Sequence, residues 1–163
     1  LHGHGVEPGS AGHAIGAGLC VASACDIRLC AAGARLGFTF PKLGLHPGMG
    51  ATYFLPRILG IAKASELLLT GRVIESEEAE RIGLVSRVTA PDALMDAVRE
   101  VAEEINGCGS EAVRQLVASL RGVALPLEGA LEREAVCQSL NYASAEFGEG
   151  VTALMEKRKP NFG

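Results

Sequence analysis

The stretch that decides the reading is residues 11–26, AGHAIGAGLCVASACD. A short apolar run enters two glycines, Gly16 and Gly18, placed around Ala17. A second apolar run follows and ends in Cys25-Asp26. The pattern predicts a short strand over 11–16 and a buried helix over 18–25, with Leu19, Val21 and Ala22 apolar on several faces. The first N–H groups of a helix lack partners within it and carry partial positive charge. Such a turn suits a phosphate, a developing oxyanion, or no ligand, as a buried turn that merely needs small residues. No Gly-Lys-Ser/Thr follows, and the third glycine of a dinucleotide fingerprint is missing. The spacing therefore leaves the three guests open.

Downstream, 26–32 and 34–40 are predicted as strands separated by Gly33, and 41–50 as a loop. Residues 51–60 and 61–71 are predicted as two helices, with Gly60 and Gly71 as C-terminal caps. Ser76 is expected to cap the helix that follows, 84–90 to form a strand, and 91–105 an amphipathic helix. After NGCGS, 106–110, the pattern turns wholly helical: 111–121, 127–142 and 146–157, with Ser110 and Ser144 as N-caps. Three domains of organisation are expected: an irregular leader over 1–10, an α/β body over 11–108, and an all-α region over 109–163.

The bulk properties narrow the classes. The 163 residues are 48% hydrophobic and 21% charged, which is globular rather than disordered. The net charge is −4, there is no Trp, and no basic stripe appears before the C-terminus. These features argue against a nucleic-acid partner. Apolar runs are interrupted well short of a membrane span. Cys20, Cys25 and Cys30 lie five residues apart. On a helix that step rotates each by roughly 140° from the last, so they do not converge on a metal. The number of cysteines is odd and the sequence reads as intracellular, so free thiols are expected, with the mitochondrion and the cytosol left open as compartments. His2 and His4 read as solvated leader residues, and His13 as a core or surface residue. His46 is a weaker candidate base, without a visible partner. The EKRKP run, 156–160, is either a solvated end or a small phosphate-binding patch.

Four ordered segments, GHAIGAGLCVASACDIRLCA, ARLGFTFPKLGLHPGMGATYFLPRILG, ASELLLTGRVIESEEAERIGLVSRV and EGVTALMEKRKPNF, resemble the enoyl-CoA hydratase/isomerase (crotonase) family. The resemblance implies a ββα spiral, here partial, followed by a C-terminal helical region used in trimer formation. It also implies a role in fatty acid metabolism. The family has a long N-terminal half before residue 11, so the chain is expected to represent only the C-terminal part.

The resemblance implies that the backbone N–H of Ala17 lies in an oxyanion hole for a thioester. Ile15, Thr39, Leu43 and Gly48 then fall at substrate-binding positions. Leu154 and Lys157 match positions that reach the coenzyme A of a neighbouring subunit. The two family glutamates fall at Cys20 and Phe40, neither of which can do carboxylate acid–base chemistry. A thiolate near a helix N-terminus and a small buried side chain are the two readings of Cys20.

The expected function is that of an acyl-CoA-binding protein that stabilises a thioester enolate without two-glutamate hydration. Its expected partners are an acyl-CoA and copies of itself, as a trimer or dimer of trimers. No cofactor is expected beyond the coenzyme A of the substrate. The alternative is a truncated, catalytically inactive assembly module, and a plain phosphate-binding domain is a weaker third reading.

Overall fold

The computed structural model describes residues 13–122 and 125–162. The leader, its two histidines and the start of the first predicted strand lie outside the described residues. Two compact units divide the chain after Val101.

The first unit opens with β1 (Ala14–Ile15), which leads through Gly16 into α1 (Ala17–Ala22). Then come β2 (Leu29–Ala31) and β3 (Arg35–Gly37), a 3-10 turn over Phe40–Leu43, and α2 (Ala51–Thr70). Next are β4 (Val73–Glu75), α3 (Ser76–Arg81), β5 (Arg87–Thr89) and a 3-10 turn over Pro91–Ala93. The helix α4 (Leu94–Asn106) follows and runs past the division. β1 pairs parallel with β3, which pairs antiparallel with β4. β2 and β5 form a separate parallel pair, with Cys30 opposite Val88.

Between these strands and helices lies a core that includes Leu19, Cys20, Phe38, Leu55, Leu67 and Leu84. A second cluster joins Leu29 and Ala31 of β2 to Leu94 and Val98 of α4. Each such large aliphatic or aromatic side chain contributes roughly 1.5–3 kcal/mol by leaving water.

Several local expectations change. The first helix is shorter than 18–25 and is not buried all round: Leu19 and Cys20 face the core, while Val21 is half exposed. The strands predicted over 26–32 and 34–40 are also shorter. β3 stops at Gly37, and Phe40 begins a 3-10 turn because Pro41 fixes the following backbone for a tight turn. A Cβ on Gly37 would lie 2.9 Å from Val73 Cγ2, so glycine lets β3 and β4 meet at that point. The strand β4 itself was not anticipated.

Gly60 breaks α2 with φ 73° and ψ 162°, and Gly71 closes it in the left-handed region, as the sequence suggested. Ser76 is not an N-cap. It is the first residue of α3, fully buried, and its Oγ accepts the Gly33 N–H at 3.0 Å.

The second unit holds the end of α4 and the helices α5 (Ser110–Arg121), α6 (Leu127–Tyr142) and α7 (Ala145–Glu156). Ser144 caps α7 by accepting the Phe147 N–H at 3.1 Å. Ser110 does not cap α5. The cap is Gly109, and the carboxylate of Glu146 takes over the role from α7. It accepts Ser110 N–H at 3.1 Å, Ser110 Oγ–H at 2.7 Å and Glu111 N–H at 3.2 Å. Apolar side chains of α5 and α7 are largely exposed, with Leu120, Leu154 and Met155 among the most open.

Candidate functional site

At the end of β1 the backbone swings through Gly16 at φ 63° and ψ −121°, a left-handed φ that favours glycine. The Gly16 N–H donates to the Gly37 carbonyl at 2.8 Å, tying the turn to the end of β3. The Gly16 carbonyl accepts the Cys20 N–H at 3.2 Å, which sets the first turn of α1. Ala17 is the first helical residue, and both it and Gly18 are exposed. Among the described residues, a Cβ at Gly18 would meet nothing within 4 Å, so the turn is open on that side.

The residues of β3 and the turn after it approach the same place. A Cβ on Gly16 would lie 3.9 Å from the tip of the Phe40 ring, and Phe40 packs on the main core. Thr39, half-buried, holds the 3-10 turn by accepting the Lys42 N–H at 3.1 Å, and Phe40 accepts the Leu45 N–H at 3.1 Å. Ile15 is partly exposed beside this turn on β1. So Ile15, Ala17, Thr39 and Phe40 gather at the ends of the paired strands β1 and β3.

Leu43 ends the 3-10 turn with 79% of its surface open. Gly48 is exposed in the segment before α2 and accepts the Ala51 N–H at 3.1 Å. Between them, the His46 Nδ1–H donates to the Pro47 carbonyl at 2.7 Å. His13 is exposed just before β1.

The two glutamate positions of the family resemblance are Cys20 and Phe40, and neither side chain is a carboxylate. Cys20 is 0% exposed within the core. Burial pushes its thiol pKa up, and a backbone hydrogen bond offsets this only in part. That environment favours a neutral, space-filling thiol over a thiolate. Among the described residues, no cluster of three or more His, Cys, Asp or Glu side chains could hold a metal. No helix among them is long and apolar enough to cross a membrane.

Leu154 and Lys157 belong to the second unit. Leu154 is 80% exposed and lines a pocket of about 280 Å³ with Asn141, Phe147, Val151 and Phe162. Lys157 ends α7 in the left-handed region, at φ 53°. The sequence reading missed what surrounds it. Glu149 accepts both terminal nitrogens of Arg158 and the Asn161 N–H, so Arg158 of the EKRKP run is engaged with α7 while Lys157 and Lys159 stay exposed. The spacing of nine residues between Glu149 and Arg158 crosses a helix end, where helical periodicity no longer pairs side chains.

Known proteins resemble this chain along most of its length. Residues 10–163 match the family model for enoyl-CoA hydratase/isomerase. The crotonyl-CoA hydratase of Syntrophomonas wolfei is 40% identical over 152 residues, covering 93% of this chain and 58% of that protein. The human enoyl-CoA hydratase domain-containing protein 2, mitochondrial, is 39% identical over 156 residues, covering 93% of this chain and 53% of that protein. The crystal structure of an enoyl-CoA hydratase from Bacillus anthracis superimposes with a TM-score of 0.88 at 36% identity, covering 92% of this chain and 58% of that one. The chain thus spans somewhat more than half the length of these relatives. The matches cover nearly all of it, and they do not support the expectation that an N-terminal half is absent from the protein.

Proposed function

From the premise that the chain belongs to the enoyl-CoA hydratase/isomerase family, we propose that it binds an acyl-CoA thioester and polarises its carbonyl at the Ala17 N–H. The observation that carries this reading is the open Gly16–Ala17–Gly18 turn. Its helix N-terminus faces solvent beside Phe40 and needs no side chain to supply a donor. A hydrogen bond from Ala17 strengthens as negative charge develops on the thioester oxygen, favouring the enolate. Removing one such preorganised donor typically costs about 10²–10³ in rate.

Ile15, Thr39, Leu43 and Gly48 would line the acyl end. Leu154 and Lys157 would meet the coenzyme A of a neighbouring subunit. No cofactor beyond the substrate's own coenzyme A enters. Water addition by paired carboxylates is not part of the reading, because Cys20 is a buried thiol and Phe40 a hydrocarbon ring. The Syntrophomonas relative is named for crotonyl-CoA hydration. What comes over to this chain is the thioester class, not that reaction.

The test is calorimetric titration with crotonyl-CoA, together with the absorbance of the bound enoyl thioester, which moves to longer wavelength when its carbonyl is polarised. Saturable binding with that shift supports the reading. Absence of binding removes it, and binding without the shift removes the polarising role of Ala17.

A second reading, that of an assembly module without catalysis, is favoured by the exposed leucines Leu116, Leu120, Leu131 and Leu140 on α5 and α6. Apolar surface of this extent favours self-association, with a trimer as the family arrangement. Sedimentation equilibrium distinguishes this from a monomeric chain.

A further inference from the structure

Glycine is the usual residue where a helix ends with a left-handed residue, because a side chain there crowds the following carbonyl. The helix α7 ends this way, with the Arg158 N–H donating to Ala153 O at 3.0 Å and the Lys157 N–H to Leu154 O at 3.3 Å. Yet the left-handed residue is Lys157, at φ 53°. That conformation disfavours a side-chain-bearing residue by roughly 5- to 30-fold in population. Something must hold it there.

The clamp is visible one helical segment back. The carboxylate of half-buried Glu149 grips Arg158 with both oxygens, Oε2 taking Nη2 at 2.9 Å. The Oε1 atom also accepts the Asn161 N–H at 2.7 Å. Glu156 takes the remaining Arg158 Nε–H at 2.7 Å. One side chain of α7 thus pins the chain on the far side of Lys157 at two points. Beyond them, Phe162 is carried to the apolar pocket, its ring 4.0 Å from where a Cβ on Gly150 would stand. Lys157 itself is exposed, and its ammonium takes part in none of the ion pairs within this cluster.

We propose that Glu149 and Arg158 are positioning residues: their clamp imposes the left-handed turn that presents the Lys157 ammonium to the coenzyme A held by a neighbouring copy of the chain. The inference rests on the acyl-CoA reading above and adds the residues that make Lys157 competent. Where a binding-competent conformer is only partly populated, apparent affinity falls with its fraction. Releasing the clamp should therefore weaken binding without touching any group that contacts the ligand.

The experiment uses the full chain as wild type, Glu149→Gln, Lys157→Ala and the double variant, with Arg158→Lys as a second way to loosen the clamp. Crotonyl-CoA affinity is measured by calorimetry. Tryptic cleavage after Lys157 and Arg158 reads the turn without ligand. Glu149→Gln is expected to be nicked several-fold faster and to lose most of the affinity that Lys157→Ala loses, which is about fivefold for one exposed charge contact. In the Lys157→Ala background it should cost nothing further. Arg158→Lys should shift both readouts in the same direction by less.

Faster nicking with unchanged affinity would overturn the proposal. So would an equal loss of affinity in both backgrounds. Unchanged affinity in Lys157→Ala would remove the lysine contact itself, and with it the role of the clamp, while wild-type binding kept the acyl-CoA reading intact. A wild type that does not bind crotonyl-CoA would remove both.

Discussion

Truncating Glu146 to alanine should loosen the second unit by an amount set by three hydrogen bonds. In the folded chain that carboxylate accepts two backbone N–H groups and one hydroxyl at the start of α5. No α5 side chain caps that end. Loss of an N-cap typically costs about 1 kcal/mol. A carboxylate at a helix N-terminus adds roughly 0.3–1 kcal/mol through the dipole. The expected destabilisation is therefore about 1–2 kcal/mol, with Glu146→Gln near half of that, since the amide oxygen still accepts but carries no charge.

A neighbouring glycine makes the prediction sharper. A Cβ on Gly109 would stand 2.9 Å from Glu146 Oε2, so Gly109→Ala has to shift the carboxylate tip and loosen its bonds to the α5 donors. The Gly109 backbone, at φ −59° and ψ 123°, is otherwise ordinary for alanine. Gly109→Ala should therefore destabilise the wild type and be nearly silent in Glu146→Ala. Urea unfolding followed by far-ultraviolet circular dichroism on the four chains gives the cycle. Equal effects of Gly109→Ala in both backgrounds would refute the cap, as would a Glu146→Ala change below about 0.3 kcal/mol, well under the usual cap range.

Three further outcomes follow from the same geometry. Crotonyl-CoA hydration, read as loss of enoyl absorbance, should run at least about 10⁴-fold below ordinary hydratases, because each of two missing acid–base groups is worth about 10²–10⁴; a rate within a hundredfold would contradict the roles given to Cys20 and Phe40. Ser76→Ala should cost about 1 kcal/mol in urea unfolding, since it strips the acceptor from the Gly33 N–H, and no change would mean that water replaces it freely. The Glu149 pKa is held down to about 2 from the ordinary 4.5, chiefly by the Arg158 hydrogen bonds and then by the Asn161 N–H. A lowered folded-state pKa means that the clamp's contribution is complete above about pH 4.5 and is lost as pH falls toward 2. Amide exchange at Arg158 and Asn161 should accordingly accelerate across that window and stay flat from pH 5 to 8 once the intrinsic pH dependence is removed.

Much of the fold was legible where one short-range rule governs. The bounds of α6, the break at Gly60, the left-handed closure at Gly71 and the Ser144 cap all depend on residues within one turn of the position concerned. The serines Ser76 and Ser110 were misread for a different reason. Each stands at a helix start, and each has its hydroxyl engaged by a distant residue, Gly33 or Glu146, that no local pattern can name. The strand β4 was missed because three residues are too few to show alternation, and it exists through pairing with β3. At the site, the glycine turn could be recognised but not its openness. That depends on where β3 ends and where the Phe40 ring lies. The Glu149 clamp was invisible because it joins residues across a helix terminus.

The break at Gly60 carries a consequence for motion. Pro56 supplies no N–H, and Gly60 leaves helical geometry altogether, so α2 holds two short ladders rather than one continuous ladder. Segments of nine or ten residues do not persist alone in water. Each is retained by its own pair of buried anchors, Ala51 and Leu55 in the first and Ala64 and Leu67 in the second. The two ladders should open as separate foldons in native-state hydrogen exchange, with different protection on either side of residue 60. The segment that follows the loop of Gly48 can then fray while the one leading to Gly71 and β4 stays closed.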